Sequence, residues 1–204
     1  MKVKEINMNF SSDIELGEVI GIFAGDGHLC FDKKRYHYIV QISSSLRNYD
    51  YICYVKLLFE KCFNTKFYWH KNGDRRNIIK ISKIIFKFFE NEYLKFNRHK
   101  KSKTVSIKEI PSNDFKIGFL RGFLDTDGTV CETKYGTRVA FYTSSPKLAG
   151  QIKELIKEFG FSCGLTISKR DGNIGIYLSR KQIEDFIRFL SSYKCRKWAC
   201  RSTR

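Results

Sequence analysis

The chain has 204 residues, enough for one large domain or two small ones. It carries 38 Lys and Arg against 21 Asp and Glu, a net charge of +17. At the same time 42% of its residues are apolar and 15% aromatic, which excludes a disordered basic tail. A folded chain of this charge suits a polyanion: nucleic acid first, an anionic membrane surface second. No apolar run approaches the ~18 residues of a membrane span, and the opening MKVKEINMNF lacks the apolar core of a secretory signal. Seven scattered cysteines without a CxxC pair point to reduced thiols, so an intracellular protein is expected.

The first element in chain order is a helix through LGEVIGIFAGDG (Leu16–Gly27), ending at Asp-Gly. Two strands follow, His28–Asp32 and Tyr36–Ser43, around the tip Lys33-Lys34-Arg35. Ile52, Val55, Leu58 and Phe59 then recur at helical spacing. A second hairpin, Lys66–Lys71 and Asn77–Ser82, turns at Asn72-Gly73-Asp74, and an amphipathic helix covers Ile84–Tyr93. Lys95 to Asn113 form a basic connector. The order then recurs: IGFLRGFLDTDG (Ile117–Gly128), strands Thr129–Thr133 and Thr137–Tyr142 around Lys134-Tyr135-Gly136, and helical spacing at Ile152, Leu155, Ile156 and Phe159. Leu165–Lys169 and Ile174–Ser179 form the last hairpin, and Lys181–Leu190 the last helix. Gly17, Gly21, Asp26 and Gly27 align with Gly118, Gly122, Asp127 and Gly128 at an offset of 101 residues. The expected fold is α+β, with two pseudo-symmetric αββαββα halves, 1–94 and 114–204, joined by the connector 95–113.

Gly17, Gly21 and Gly25 share one helix face, as do Gly118, Gly122 and Thr126. Glycine costs about 1 kcal/mol in a helix interior, so such a stripe implies close approach of another backbone. The same stripe on the other copy is the expected partner. The Gly after each Asp is read as the left-handed residue that ends a helix. Asp26 and Asp127 face the unfavourable end of the helix dipole, and a close helix pair sets them against each other. A divalent cation, Mg²⁺ or Mn²⁺, relieves both penalties, and paired carboxylates on a basic protein point to phosphodiester hydrolysis.

VIGIFAGDG (Val19–Gly27) and LRGFLDTDG (Leu120–Gly128) resemble the two motif copies of the LAGLIDADG homing endonucleases, in their compact monomeric branch. The first copy departs from the motif, with Ala24 where an acid often stands and Gly25 at a small position, but the last acid is intact in both. The resemblance implies a saddle of antiparallel sheets over duplex DNA, with helices on the convex side. It implies site-specific double-strand cleavage of a long pseudo-palindromic site by one chain, leaving short 3′ overhangs and initiating mobility of a host intron. Asp26 and Asp127 would bind the metal, with the backbone carbonyls of Gly25 and Thr126 as further candidate ligands. Peripheral catalytic candidates are Gln41 or Ser44, Lys100 or Lys101, and Lys197. Candidate DNA contacts are His28, Cys30, Lys33, Lys34, Arg35, His37, Gln41, Arg75, Arg76 and Lys80, with Lys134, Arg138, Lys169 and Arg170 in the second half. Two alternatives share the fold: an RNA maturase that binds intron RNA, and a DNA-binding regulator that does not cut. A membrane-surface role is not expected, because the helical apolar stripes read as core.

Overall fold

The computed structural model describes residues 8–45 and 48–202; the start of the expected first half lies outside these. Ser12 begins helix α1 (Asp13–Asp26) by accepting the Glu15 N–H, and Ser112 begins α5 (Asn113–Asp127) by accepting that of Phe115. Each helix runs directly into a hairpin, β1 (Gly27–Asp32) with β2 (His37–Ser45), and β7 (Gly128–Thr133) with β8 (Gly136–Thr143). Next come α2 (Tyr49–Cys62) and α6 (Pro146–Glu158). The second hairpins are β3 (Tyr68–Asn72) with β4 (Arg75–Ile81), and β9 (Cys163–Ile167) with β10 (Ile174–Leu178). Helices α3 (Lys83–Asn91) and α7 (Ile183–Leu190) close the repeats. The sheets have matching antiparallel orders, β1-β2-β4-β3 and β7-β8-β10-β9. The expected αββαββα order thus holds in both halves.

Helices α1 and α5 pack face to face through their glycines. A methyl group at Gly17 would strike the Phe115 carbonyl, and one at Gly21 that of Phe119. Reciprocally, Gly118 lies against the Ile14 carbonyl and Gly122 against that of Glu18. These contacts put backbone on backbone, which explains why the glycines tolerate their helix-propensity cost. With α5 on one side and its own sheet on the other, α1 buries every residue from Leu16 to Ala24 and shows little amphipathicity. A single apolar core runs through both halves.

Two features depart from the sequence reading, the backbone angles of two glycines and a helix beyond the second repeat. Gly27 and Gly128 are not left-handed; their φ angles are −76° and −116° and each opens a strand. Glycine is needed there because a side chain would run into Phe23 or Leu124 of the preceding turn. The connecting segment is itself ordered: β5 (Leu94–Lys95) pairs with β6 (Ser106–Ile107), and the short helix α4 (Lys101–Thr104) lies between them. It docks on the second half, where the Gln151 side chain exchanges two hydrogen bonds with the Ile107 backbone and Ser145 donates to the Val105 carbonyl. An additional helix, α8 (Tyr193–Ser202), follows the second repeat.

Candidate active site at the paired helix ends

The glycine packing brings the C-termini of α1 and α5 together. Asp26 is half-buried there, while Asp127 reaches solvent in a crowded setting. Lost hydration, then the charge of Asp127, pushes the Asp26 carboxyl up from 3.8 to about 7, against the opposing pull of Lys101 and Lys194. Asp127 is also raised, by lost hydration, and the same two lysines oppose the shift. The pair is therefore costly to charge without a cation. Two hard oxygen donors in mutual repulsion fit a divalent metal. Among the described residues no third Asp, Glu, His or Cys joins them, so further ligands would come from phosphate oxygens or water.

Two lysines complete the centre. The Lys101 ammonium donates to the carbonyls of Phe23, Ala24 and Gly25 at 2.8, 2.7 and 2.9 Å. Lys194 donates to those of Leu124, Thr126 and Gly128 at 3.1, 3.4 and 2.6 Å. Each lysine satisfies the orphan carbonyls of one helix end and offsets its negative dipole. Burial pulls Lys101 down to about 8, while Asp127 and Asp26 hold it up. Lys194 is lowered by burial, against Asp125, Asp26 and Asp127. Asp125 positions Lys194 by accepting the backbone N–H groups of Tyr193 and Lys194, both at 2.8 Å, as the cap of α8. The first half has Ala24 at the equivalent place.

Of the expected pair Lys100 or Lys101, it is Lys101 that reaches the centre, and the other peripheral candidates lie as follows. Lys100 is exposed and sits in a 3₁₀ turn one residue before the lysine that enters the centre. Lys197 is exposed one turn beyond Lys194 on α8 and lines a cavity along β7. The Gly25 and Thr126 carbonyls already accept from ammonium groups, which makes them poor partners for a second cation.

A polar cavity opens beside each carboxylate. The one at Asp26, about 400 Å³, is lined by Ser43, Ser44, Ser45, Arg75, Asp125 and Thr126 among others. The one at Asp127, about 200 Å³, is lined by the equivalent Tyr142, Thr143, Ser144, Asn173, Ala24 and Gly25, with Ser102 and Val105. Arg75 and Asn173 were not singled out as cavity residues by the sequence. They enter because the start of β4 pairs with the end of β2, Arg75 opposite Ser45.

Strand register sorts the candidate DNA contacts. His28 lies opposite Gln41, Cys30 opposite Ile39 and Asp32 opposite His37. These residues share the helix-free face, while Leu29, Val40 and Ile42 are buried on the other. Gln41 donates to Ser43 at 2.9 Å on that open face; Ser44 is buried on the covered side. Arg75 belongs to the open face by the same register. Arg76 and Lys80 do not: both alternate with Ile79, which pairs with Gln41. Lys80 donates to Thr65 and to the Lys66 carbonyl, and Arg76 lies over Tyr49. In the second half Arg138 sits opposite Cys131 on the open face. Lys33, Lys34, Arg35, Lys134, Lys169 and Arg170 are exposed at hairpin tips. The halves differ where Gln41 faces His28, since the equivalent pair is Ala140 and Thr129.

Residues 114–192 match the family model of a LAGLIDADG-like domain. Among solved structures, the homing endonuclease I-DmoI, in its mesophilic variants, matches at a TM-score of 0.70 and 17% identity over 89% of this chain and 92% of that one. I-DmoI in complex with DNA and Mn matches at 0.69 and 17%, over 89% and 98%. The N-terminal LAGLIDADG domain of DUF199/WhiA matches at 0.55 and 16%, over 91% and 85%. No curated protein is similar to the chain in sequence. The whole chain has the LAGLIDADG fold, with both repeats in one polypeptide. No helix among the described residues is long and apolar enough to cross a membrane.

Proposed function

We propose that this chain, with its LAGLIDADG fold, is a site-specific endonuclease that hydrolyses both strands of duplex DNA with a divalent metal, Mg²⁺ or Mn²⁺, and so moves its host intron. The observation that carries this reading is the Asp26–Asp127 pair, brought together at the helix ends by the glycine packing of α1 on α5. A divalent cation bound by the two carboxylates supplies Lewis acidity toward a phosphodiester. Lys101 and Lys194 fix the helix ends, and their charges favour the approach of phosphates on either side. The cavities beside Asp26 and Asp127 give each strand its own polar recess. His28, Gln41 and Arg75 on one open face and Arg138 on the other face the grooves, where Arg reads guanine and Gln reads adenine. One chain suffices, because it contains both carboxylates and both sheets. Sequencing the ends cut from a random duplex library, with Mg²⁺ and with EDTA, tests the proposal. A long, imperfectly symmetric consensus cut only with Mg²⁺ supports it, and no enrichment in either arm opposes it.

A second reading, duplex binding without cleavage, draws on one observation. The ammonium groups of Lys101 and Lys194 already stand among the carboxylates and occupy the Gly25 and Thr126 carbonyls. Under that reading the charges of Lys101 and Lys194 offset those of Asp26 and Asp127 without a metal. Specific binding in the same library without cut ends would favour it.

A further inference from the structure

The edge of the first sheet carries a basic aromatic cluster. Tyr49 opens α2 and Trp69 lies in β3; their rings are 28° from parallel with centroids 6.3 Å apart. They are 49% and 44% exposed, so neither serves chiefly as core. The Arg76 guanidinium lies 4.4 Å from the Tyr49 centroid and 5.7 Å from that of Trp69. Lys71 is the cross-strand neighbour of Arg76. Together Tyr49, Trp69, Lys71 and Arg76 line a cavity of about 300 Å³ that contains no acid. Lys56 approaches Trp69 at 5.8 Å, although Glu60 shares its charge. Among the described residues no carboxylate forms an ion pair with Arg76.

Register places this cluster away from the proposed duplex surface. Trp69 pairs with the fully buried Ile78, and Lys71 with Arg76, so these side chains alternate with the open-face set of Arg75, Ile79 and Gln41. Tyr49 comes from a helix that packs on the same covered side. A duplex keeps its base faces stacked and presents only edges and phosphates, so it has no use for exposed rings on this side. Splayed bases of a single strand have free faces that stack on aromatic rings, and their phosphates attract flanking Arg and Lys.

We propose that Tyr49, Trp69, Lys71 and Arg76 form a second nucleic-acid site that takes unpaired nucleotides, with a base stacked on the Trp69 and Tyr49 rings and flanking phosphates held by Arg76 and Lys71. The proposal does not depend on cleavage. Anisotropy of labelled 12-mers with the full chain, in saturating unlabelled random duplex, tests it. The probes are oligouridylate RNA, oligothymidylate DNA and an abasic DNA strand; the first two distinguish RNA from DNA as the source of the strand. A base-bearing strand should bind with the duplex present, and the abasic strand should bind at least about tenfold more weakly. Trp69→Ala and Arg76→Gln should each weaken strand binding about fivefold or more, Trp69→Phe should retain most of it, and duplex affinity should stay within about twofold. Thermal melts check folding, and if Trp69→Ala melts early the Arg76→Gln result decides. Equal binding of the abasic strand, full displacement by duplex, or folded variants with wild-type strand affinity would overturn the proposal.

Discussion

Replacing Gly21 with Ala tests the helix packing on which the carboxylate pair depends. The added methyl would meet the Phe119 carbonyl oxygen and stand 2.9 Å from the Phe123 nitrogen, where ordinary van der Waals contact begins at 3.4 Å. Both obstacles are backbone, so no side chain can rotate away and α1 must part from α5. Overpacking of this kind costs about 1–3 kcal/mol, and a rigid obstacle puts it at the upper end. Ala in place of Gly returns about 1 kcal/mol of helix propensity. The net loss is about 2 kcal/mol, or a fall in Tm of about 4–8 °C for a chain of this size. Gly122→Ala, against the Glu18 carbonyl, should behave alike. Gly150→Ala is the control: it lies within α6 with open space around the added methyl. It keeps only the propensity gain and should raise Tm by about 2–4 °C. Calorimetric melts of the three variants provide the assay. A shift of the same sign at Gly21 and Gly150 would refute the argument that backbone contact, and not helix propensity, governs the stripe.

Four other outcomes follow from the site. Because the folded-state pKa of Asp26 is raised, its stabilising contribution is complete below the ordinary 3.8 and is lost as pH rises through about 7. Three units correspond to at most about 4 kcal/mol, so without metal Asp26→Asn should melt above wild type at pH 8 and lose that advantage at pH 4; a constant difference across that range would contradict the assignment. Mg²⁺ should raise the wild-type Tm at pH 8 and the Asp26→Asn Tm by less. Lys101→Met and Lys194→Met should cut DNA hydrolysis at least about tenfold, by the loss of a charge-assisted contact, whereas Lys100→Met and Lys197→Met should leave it within about twofold; the reverse ranking in a plasmid assay would restore the exposed pair. Asp125→Ala removes the α8 cap and should cost about 1–2 kcal/mol in a denaturant titration, and an unchanged midpoint would show that α8 is held by other contacts.

The repeat was legible because its signals are local. The glycine stripes, the Asp-Gly ends and the turn residues of the hairpins each restrict the chain within a few residues, and the two copies corroborate one another. Choosing between Lys100 and Lys101 needed the trajectory of a short turn after α3, which neutral charge counting does not encode. Lys194 was hidden behind a cap: Asp125 directs α8, and nothing in a sequence links two residues 69 positions apart. Arg75, Arg76 and Lys80 share the second hairpin in the sequence, but alternation along β4 sends neighbours to opposite faces, and only pairing with β2 shows which face is open. The place of Gly27 after a helix suggests a left-handed angle, but close packing against Phe23 is what requires glycine there.

The central claim is that Asp26 and Asp127 hold the metal for strand scission while the open faces bind DNA. It is tested most directly with Asp26→Asn and Asp127→Asn on a duplex selected by the wild-type chain, measuring cleavage in Mg²⁺ and affinity by anisotropy side by side. The account predicts that neither variant makes a double-strand break, while affinity stays within about tenfold, or about 1.4 kcal/mol. Double-strand cleavage at the wild-type rate by both variants would contradict it.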